Sequence, residues 1–147
     1  MAISEGVAET FIKTSALKTR VEKIEHLRKN FSPAMEIIVT AAFHPQWEWL
    51  LPEGPCPYNK NITSKAHDFQ GVLFSESRKL HIYRKAGGYD NMNKIKREVH
   101  YQEWIQSMDP DDAFLIEGIR CEGKIPYKGI TEKLIKEAYP ALFAKWS

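Results

Sequence analysis

Residues 109–143 limit the fold most strongly, because they contain the start and stop signals of two short helices joined by a stiff connector. Asp109 can cap a helix whose first turn holds Pro110 and two further aspartates, which suit the fixed φ and the positive dipole end of that turn. Gly123 is the type of residue that commonly follows a helix end. These signals predict a helix between Asp109 and Gly123.

A second helix is predicted after the connector GKIPYKGI. Thr131 is a favourable N-cap, and Ile130 and Ile135 have the spacing of a hydrophobic staple. The proline stiffens the connector, so the connector should set the angle between the two helices. This third of the chain is therefore predicted to be a helix pair with a defined turn.

Apolar residues recur at three- and four-residue steps along most of the remaining chain, which is typical of helices. The segment SRKLHIYRK also alternates enough to form a strand, so its assignment stays open. Gly87 and Gly88 introduce a turn before the next helix. Further helices are predicted to begin near Ser4, Ser15, Ser32, Thr63 or Ser64, and Asn93.

The predicted fold is all-α: a single compact domain, residues 1–147, of about six short helices with one ordered Pro/Trp-rich loop. A chain of 147 residues can bury about two thirds of its unfolded surface without staples. The helix that begins with Ser32 and Pro33 is the most apolar, and it should lie at the centre of the core. His44 precedes Pro45, which ends that helix.

The loop after that helix, QWEWLLPEGPCPYNKN, carries too much apolar area to remain in water. Linkers are polar and poor in tryptophan, so we predict an ordered loop that lies across the helices. Trp47 and Trp49 are two residues apart, and we expect one ring to point inwards and the other outwards. An outward tryptophan would be a candidate anchor for a protein interface.

Composition excludes several classes of protein. The hydrophobic share of 43% and the charged share of 27% are close to globular averages, which argues against wholesale disorder. The N-terminus does not read as a signal peptide, and no apolar run approaches the roughly 20 residues that span a bilayer. Cys56 and Cys121 have no second ligand at zinc spacing, so we favour reduced thiols over a single disulfide, which stays open as the alternative. We expect a soluble intracellular protein without a membrane partner.

The segment 78–100 holds seven cationic residues against two acidic ones, a local net charge of +5, with tyrosines interleaved. Clustered cations beside aromatic rings suit phosphate neutralisation and base stacking. A solvated helix face is the alternative interpretation, and we favour it because the whole chain carries a net charge of only +2. The cations are Arg78, Lys79, Arg84, Lys85, Lys94, Lys96 and Arg97.

No sequence motif predicts catalytic residues, a metal site or a cofactor. The aspartates that follow Asp109 lack the spacing of a calcium loop, and helix capping explains them. The five histidines are scattered without a metal-binding pair, and there is no glycine-rich phosphate loop or nucleophile elbow. A binding role is therefore favoured over an enzyme, although an enzyme stays open.

Two aromatic segments are the candidate protein-binding sites. The first is the tryptophan-containing loop, and the second is the connector, whose two lysines flank a proline and a tyrosine between glycines. Tryptophan and tyrosine on ordered loops are frequent anchors of protein interfaces. The candidate residues are Trp47, Trp49, Tyr58, Lys124, Tyr127 and Lys128.

Five segments taken in order resemble one family. They are SPAMEIIVTAAFHP, LLPEGPCPY, GVLFSESRKLHIY, MDPDDAFLIEGI and GKIPYKGITEKLIKEAYPALF. Together they are similar to small, functionally uncharacterised proteins encoded by T4-like tailed bacteriophages, including cyanophages. The resemblance runs from residue 15 to residue 143, and the final segment is its most specific part. It implies a phage product in the host cytoplasm during infection, with presence in the virion left open, and it supplies no catalytic residues.

Three functional hypotheses follow. The first is a non-catalytic adaptor that binds a phage or host protein, or a copy of itself, through the loop from Trp47 to Tyr58 and the face from Lys124 to Lys136. The second is a nucleic-acid accessory protein that uses the cations of residues 78–100. The third is an enzyme of unknown class, which needs a pocket where His67, His81 or His100 meets an acid.

Overall fold

The computed structural model describes residues 6–52, 56, 73, 76–108 and 110–146. In these residues the only β-pairing is a single bridge between Trp49 and Arg84, so the all-α prediction is confirmed. Eight helical elements are present there, more than the six that we predicted. They are α1 (Val7–Ala16), α2 (Arg20–Lys29), α3 (Pro33–Phe43), a 3₁₀ helix (Ser77–Tyr83), α4 (Lys94–Ser107), α5 (Pro110–Glu122), α6 (Glu132–Ala138) and α7 (Pro140–Ala144).

Three predicted helix starts are confirmed by their capping hydrogen bonds. The side chains of Ser32, Asn93 and Thr131 each accept a hydrogen bond from a backbone N–H two or three residues later, at 2.9 to 3.2 Å. Ile130 and Ile135 are both buried, as a hydrophobic staple requires. Helix α5 begins with Pro110 as predicted, while its predicted cap Asp109 lies outside the described residues, as does Ser4.

The second helix begins later than predicted. Ser15 belongs to α1, and α2 starts at Arg20 with Thr19 as its N-cap. Thr19 has a side-chain oxygen that satisfies a free N–H, so it is the better start signal. In α2 only Leu27 is buried, and Val21 is 64% exposed. The apolar spacing in this segment therefore overstated how much of α2 faces the core.

The ambiguous segment before the glycine pair forms the 3₁₀ helix and then one bridge. The predicted start at Thr63 or Ser64 lies outside the described residues. The N–H of Leu50 donates to the Tyr83 carbonyl at 2.7 Å, and the N–H of Lys85 donates to the Glu48 carbonyl at 2.9 Å. The predicted turn follows, with φ values of 64° at Ala86 and 98° at Gly88.

Helix α3 contributes five buried residues to the core. It contacts both α5 and the 3₁₀ helix, while α2 packs between α1 and α6. Its first turn is capped by Ser32, and it ends before His44, where the following proline prevents continuation. The buried residues of α3 are Ala34, Met35, Ile38, Val39 and Ala41.

A buried ion pair on α5 attaches the Pro/Trp-rich loop to the core. The side chains of Glu117 and Arg120 are only 9% and 5% exposed, and Nε of Arg120 lies 3.0 Å from a Glu117 oxygen. The same carboxylate accepts hydrogen bonds from the Tyr101 hydroxyl and from the Cys56 N–H. Arg120 also donates to the Pro52 carbonyl at 2.8 Å. We call these residues the Glu117 cluster.

We predict that Glu117→Gln lowers the free energy of unfolding by about 2 to 4 kcal/mol, because it leaves the buried Arg120 without its charge partner. Urea unfolding followed by circular dichroism measures this loss. The matched control is Glu137→Gln, which breaks the exposed ion pair with Arg20, a pair that water screens. Equal losses for the two variants would contradict the structural role of the Glu117 cluster.

Candidate functional site

The bridge between the loop and the chain after the 3₁₀ helix brings together residues from two candidate groups. The Trp47 and Trp49 rings contact edge to face, with centroids 5.4 Å apart. The guanidinium carbon of Arg84 lies over the Trp47 ring, 4.4 Å from its centroid. The His81 ring lies 6.2 Å from the same indole, and all four residues are half-buried. We call these four residues the tryptophan–arginine cluster.

Local backbone geometry positions this cluster. Trp49 and Arg84 are paired directly across the bridge. The expectation that the two tryptophans point to opposite sides is wrong, because residues two apart in an extended segment lie on the same side. Both rings pack against the core, and the Trp47 Nε1 atom is buried without a hydrogen-bond partner in the described part of the chain.

The cluster contains one histidine whose titration is shifted. Burial lowers the pKa of His81 below its ordinary value, and the nearby positive charge of Arg84 lowers it further. His81 is therefore neutral at pH 7, and the positive charge of the cluster resides on Arg84.

The predicted nucleic-acid residues divide into four groups. Arg78, Lys85, Lys94 and Lys96 are exposed to solvent. Lys79 forms an ion pair with Glu76 at 2.9 Å. Arg84 belongs to the tryptophan–arginine cluster, and Arg97 is buried.

Arg97 is a correction to the sequence-based grouping of cations. It is only 5% exposed, and its guanidinium donates to the carbonyls of Ile82 at 3.2 Å and Tyr89 at 2.7 Å. These bonds attach the glycine-containing turn to the start of α4. Arg97 therefore holds the fold together and cannot contact a nucleic acid at the surface.

The connector residues have separate structural roles. Tyr127 is half-buried, packs against the rings of Phe11 and Phe114, and donates its hydroxyl hydrogen to the Asp111 carbonyl at 3.0 Å. Lys124 and Lys128 are exposed. The connector thus packs on α1 and α5, whereas the tryptophan–arginine cluster packs beside the 3₁₀ helix. The remaining candidate, Tyr58, lies outside the described residues.

Two exposed apolar residues on α4 were missed by the sequence analysis. Ile95 is 70% exposed and Val99 is 46% exposed. At about 100° per residue, they lie on the opposite side of the helix from Tyr101 and Trp104, which are buried. The apolar residues of α4 therefore fall on two opposite faces of the helix. This separation of Ile95 and Val99 from Tyr101 and Trp104 was the signal in the sequence that could have identified the exposed pair.

His100 and His81, two of the histidines considered for catalysis, lie in different surroundings. His100 is hydrogen-bonded to the Tyr83 hydroxyl at 2.6 Å, and His81 faces Trp47 and Arg84. Burial raises the pKa of both cysteine thiols, and this disfavours reactive thiolates. Within this part of the chain, no three His, Cys, Asp or Glu residues come together as metal ligands. His67 lies outside it.

The chain matches a family of unknown function (DUF6433) over residues 11–128. It belongs to this family. The match begins within α1 and ends within the connector, and it includes both the Glu117 cluster and the tryptophan–arginine cluster. It ends inside the segment that the sequence analysis judged most specific. No curated protein and no solved structure matches the chain.

Among the helices of the described residues, none has the length and apolar character to cross a membrane.

We predict that the free energy of unfolding decreases as the pH falls below about 6.5, the ordinary pKa of histidine. Below this pH His81 is protonated in the unfolded chain. In the folded chain the pKa of His81 is lower, so His81 stays neutral until the pH falls further. Urea titrations between pH 5 and pH 8 should show a shallower decline for His81→Gln than for the wild type. Identical slopes for the two proteins would exclude this coupling.

Proposed function

We propose that this protein is a non-catalytic adaptor encoded by a T4-like phage, which binds a phage or host protein in the host cytoplasm during infection. The observation that carries this proposal is the tryptophan–arginine cluster. It combines two indoles and a guanidinium on a part of the loop held in place by backbone hydrogen bonds.

Tryptophan and arginine are enriched among the residues that dominate the binding energy of protein interfaces. In this chain they are already packed against each other, so little side-chain entropy is lost when a partner binds. All members of the cluster are half-buried, so each still presents surface to solvent. This combination supports a protein-binding surface built on a rigid support.

The remaining chemistry of the described residues supports a non-catalytic role. The buried carboxylate of Glu117 is committed to Arg120, Tyr101 and a backbone N–H. The buried guanidinium of Arg97 is committed to backbone carbonyls. Polar groups that are already satisfied by the fold stabilise it and are poorly placed to act on a substrate.

The phage setting rests on the five sequence segments that resemble T4-like phage proteins. Membership of a family of unknown function adds neither an activity nor a source to this proposal. The setting suggests where a partner should be sought, namely among proteins of infected cells.

We predict that Arg84→Ala reduces the capture of the protein partner from infected cells at least tenfold, because it removes the cation stacked on Trp47. Quantitative mass spectrometry of affinity-purified complexes measures this change. Arg78→Ala is the matched control, since it removes the same charge from an exposed position on the 3₁₀ helix. Equal capture by wild type and Arg84→Ala, with both variants folded, would count against the cluster as the binding site.

A nucleic-acid accessory role is the second candidate function. It is favoured by one observation: Arg78, Lys85, Lys94 and Lys96 are all exposed, so these cations could neutralise phosphates. Tyr89 is also 47% exposed and could stack on a base.

If this second function holds, we predict that single-stranded DNA binds at low salt and that its affinity falls steeply as salt is raised, because binding releases counterions. Fluorescence anisotropy of a labelled oligonucleotide tests this. Lys85→Glu with Lys94→Glu should abolish binding, whereas Lys124→Glu with Lys128→Glu changes the net charge equally at another site. Absence of binding at low salt, or equal effects of the two double variants, would eliminate this candidate.

A further inference from the structure

The outer face of α4 carries a stripe of exposed residues that no described element covers. Ile95 and Val99 are followed along this stripe by Gln102 and Gln106, both exposed. The steps of four, three and four residues are the spacing of the contact positions in a pair of packed helices. Ile95, at 70%, is the most exposed of the large hydrophobic residues in the described part of the chain.

Opposite charges flank this stripe on one side. Lys96 and Glu103 are both exposed, and each immediately follows a stripe residue in sequence. They are seven residues apart, so about 10.5 Å of helix rise separates their Cα atoms and they are too far apart for an ion pair within α4. Neither forms an ion pair within the described residues.

We propose that this face of α4 is a self-association surface on which α4 of a second copy docks antiparallel. A two-fold axis midway between Lys96 and Glu103 brings Lys96 of each copy opposite Glu103 of the other. Val99 then lies close to the axis and meets the same residue of the second copy. The arrangement is self-complementary, as a symmetric dimer interface must be.

Charge distribution favours a second copy over a nucleic acid on this face. Glu103 lies beside Lys96 along the stripe, so this face presents both signs of charge and suits a complementary helix better than a uniformly negative phosphate backbone. Aliphatic side chains also stack poorly on bases. A balanced charge pattern beside apolar residues suits a protein helix that carries the complementary pattern.

The dimer should be weak, because the stripe spans few helical turns and half of its residues are glutamines. We expect a monomer–dimer equilibrium that depends on protein concentration between about 10 µM and 1 mM. The surface lies on different residues from the tryptophan–arginine cluster, so this inference is independent of the proposed function.

The test uses the full chain in analytical ultracentrifugation at several concentrations. Lys96→Glu and Glu103→Lys alone each place two like-charged pairs across the interface, and each should weaken dimerisation on the order of tenfold. An equimolar mixture of the two variants restores two opposite-charge pairs, so it should recover a heterodimer. Weakening in each single variant together with recovery on mixing identifies the antiparallel arrangement, because in a parallel pair each variant would keep as many like-charged pairs as the wild type.

Ile95→Ser with Val99→Ser should also abolish dimerisation, whereas Val21→Ser removes an equally exposed aliphatic side chain from α2 and should not. Circular dichroism and thermal melting confirm that each variant is folded. A wild-type protein that stays monomeric up to about 1 mM would overturn the inference. So would a dimer that persists in both charge variants, or one that is not recovered by mixing them.

Discussion

The buried ion pair between Glu117 and Arg120 is the interaction on which the arrangement of the molecule depends. It lies on α5 where α4 and the Pro/Trp-rich loop meet this helix. Glu117 accepts hydrogen bonds from Tyr101 of α4 and Cys56 of the loop, and Arg120 donates one to the Pro52 carbonyl of the loop. Burial of the Tyr101 hydroxyl and its hydrogen bond to the Glu117 carboxylate raise the pKa of that tyrosine, so its hydroxyl stays protonated as a donor. Buried charges are tolerated only when they are paired and fully hydrogen-bonded, and this condition determines where the loop can lie.

Attachment of the loop in turn determines the candidate site. Trp49 and Arg84 are distant in sequence, and they pair across a bridge because the loop is held near α5 at Pro52 and Cys56. This pairing places the Arg84 guanidinium over the indole of Trp47. The cations of residues 78–100 consequently serve different purposes, since some hold the turn or the cluster while others face water.

Helix α4 shows how one element can serve the core and still present a second surface. One side buries Tyr101, Trp104 and Ile105, and the buried Arg97 beside them binds backbone carbonyls. The other side exposes Ile95 and Val99. Exposed aliphatic residues occur singly on most proteins, but their regular spacing along one helix face is a pattern that a partner helix can match.

Local signals in the sequence determined the helical class and several helix boundaries. Ser32, Asn93 and Thr131 cap their helices because a short polar side chain reaches the free N–H groups a few residues away. Such bonds join residues that are close in sequence, so they do not depend on the rest of the chain. Only the tertiary structure decided that Arg97 is buried, that Ile95 is exposed and that Arg84 stacks on Trp47. These outcomes depend on which distant segments fill the space around each side chain, and no short stretch of sequence specifies that.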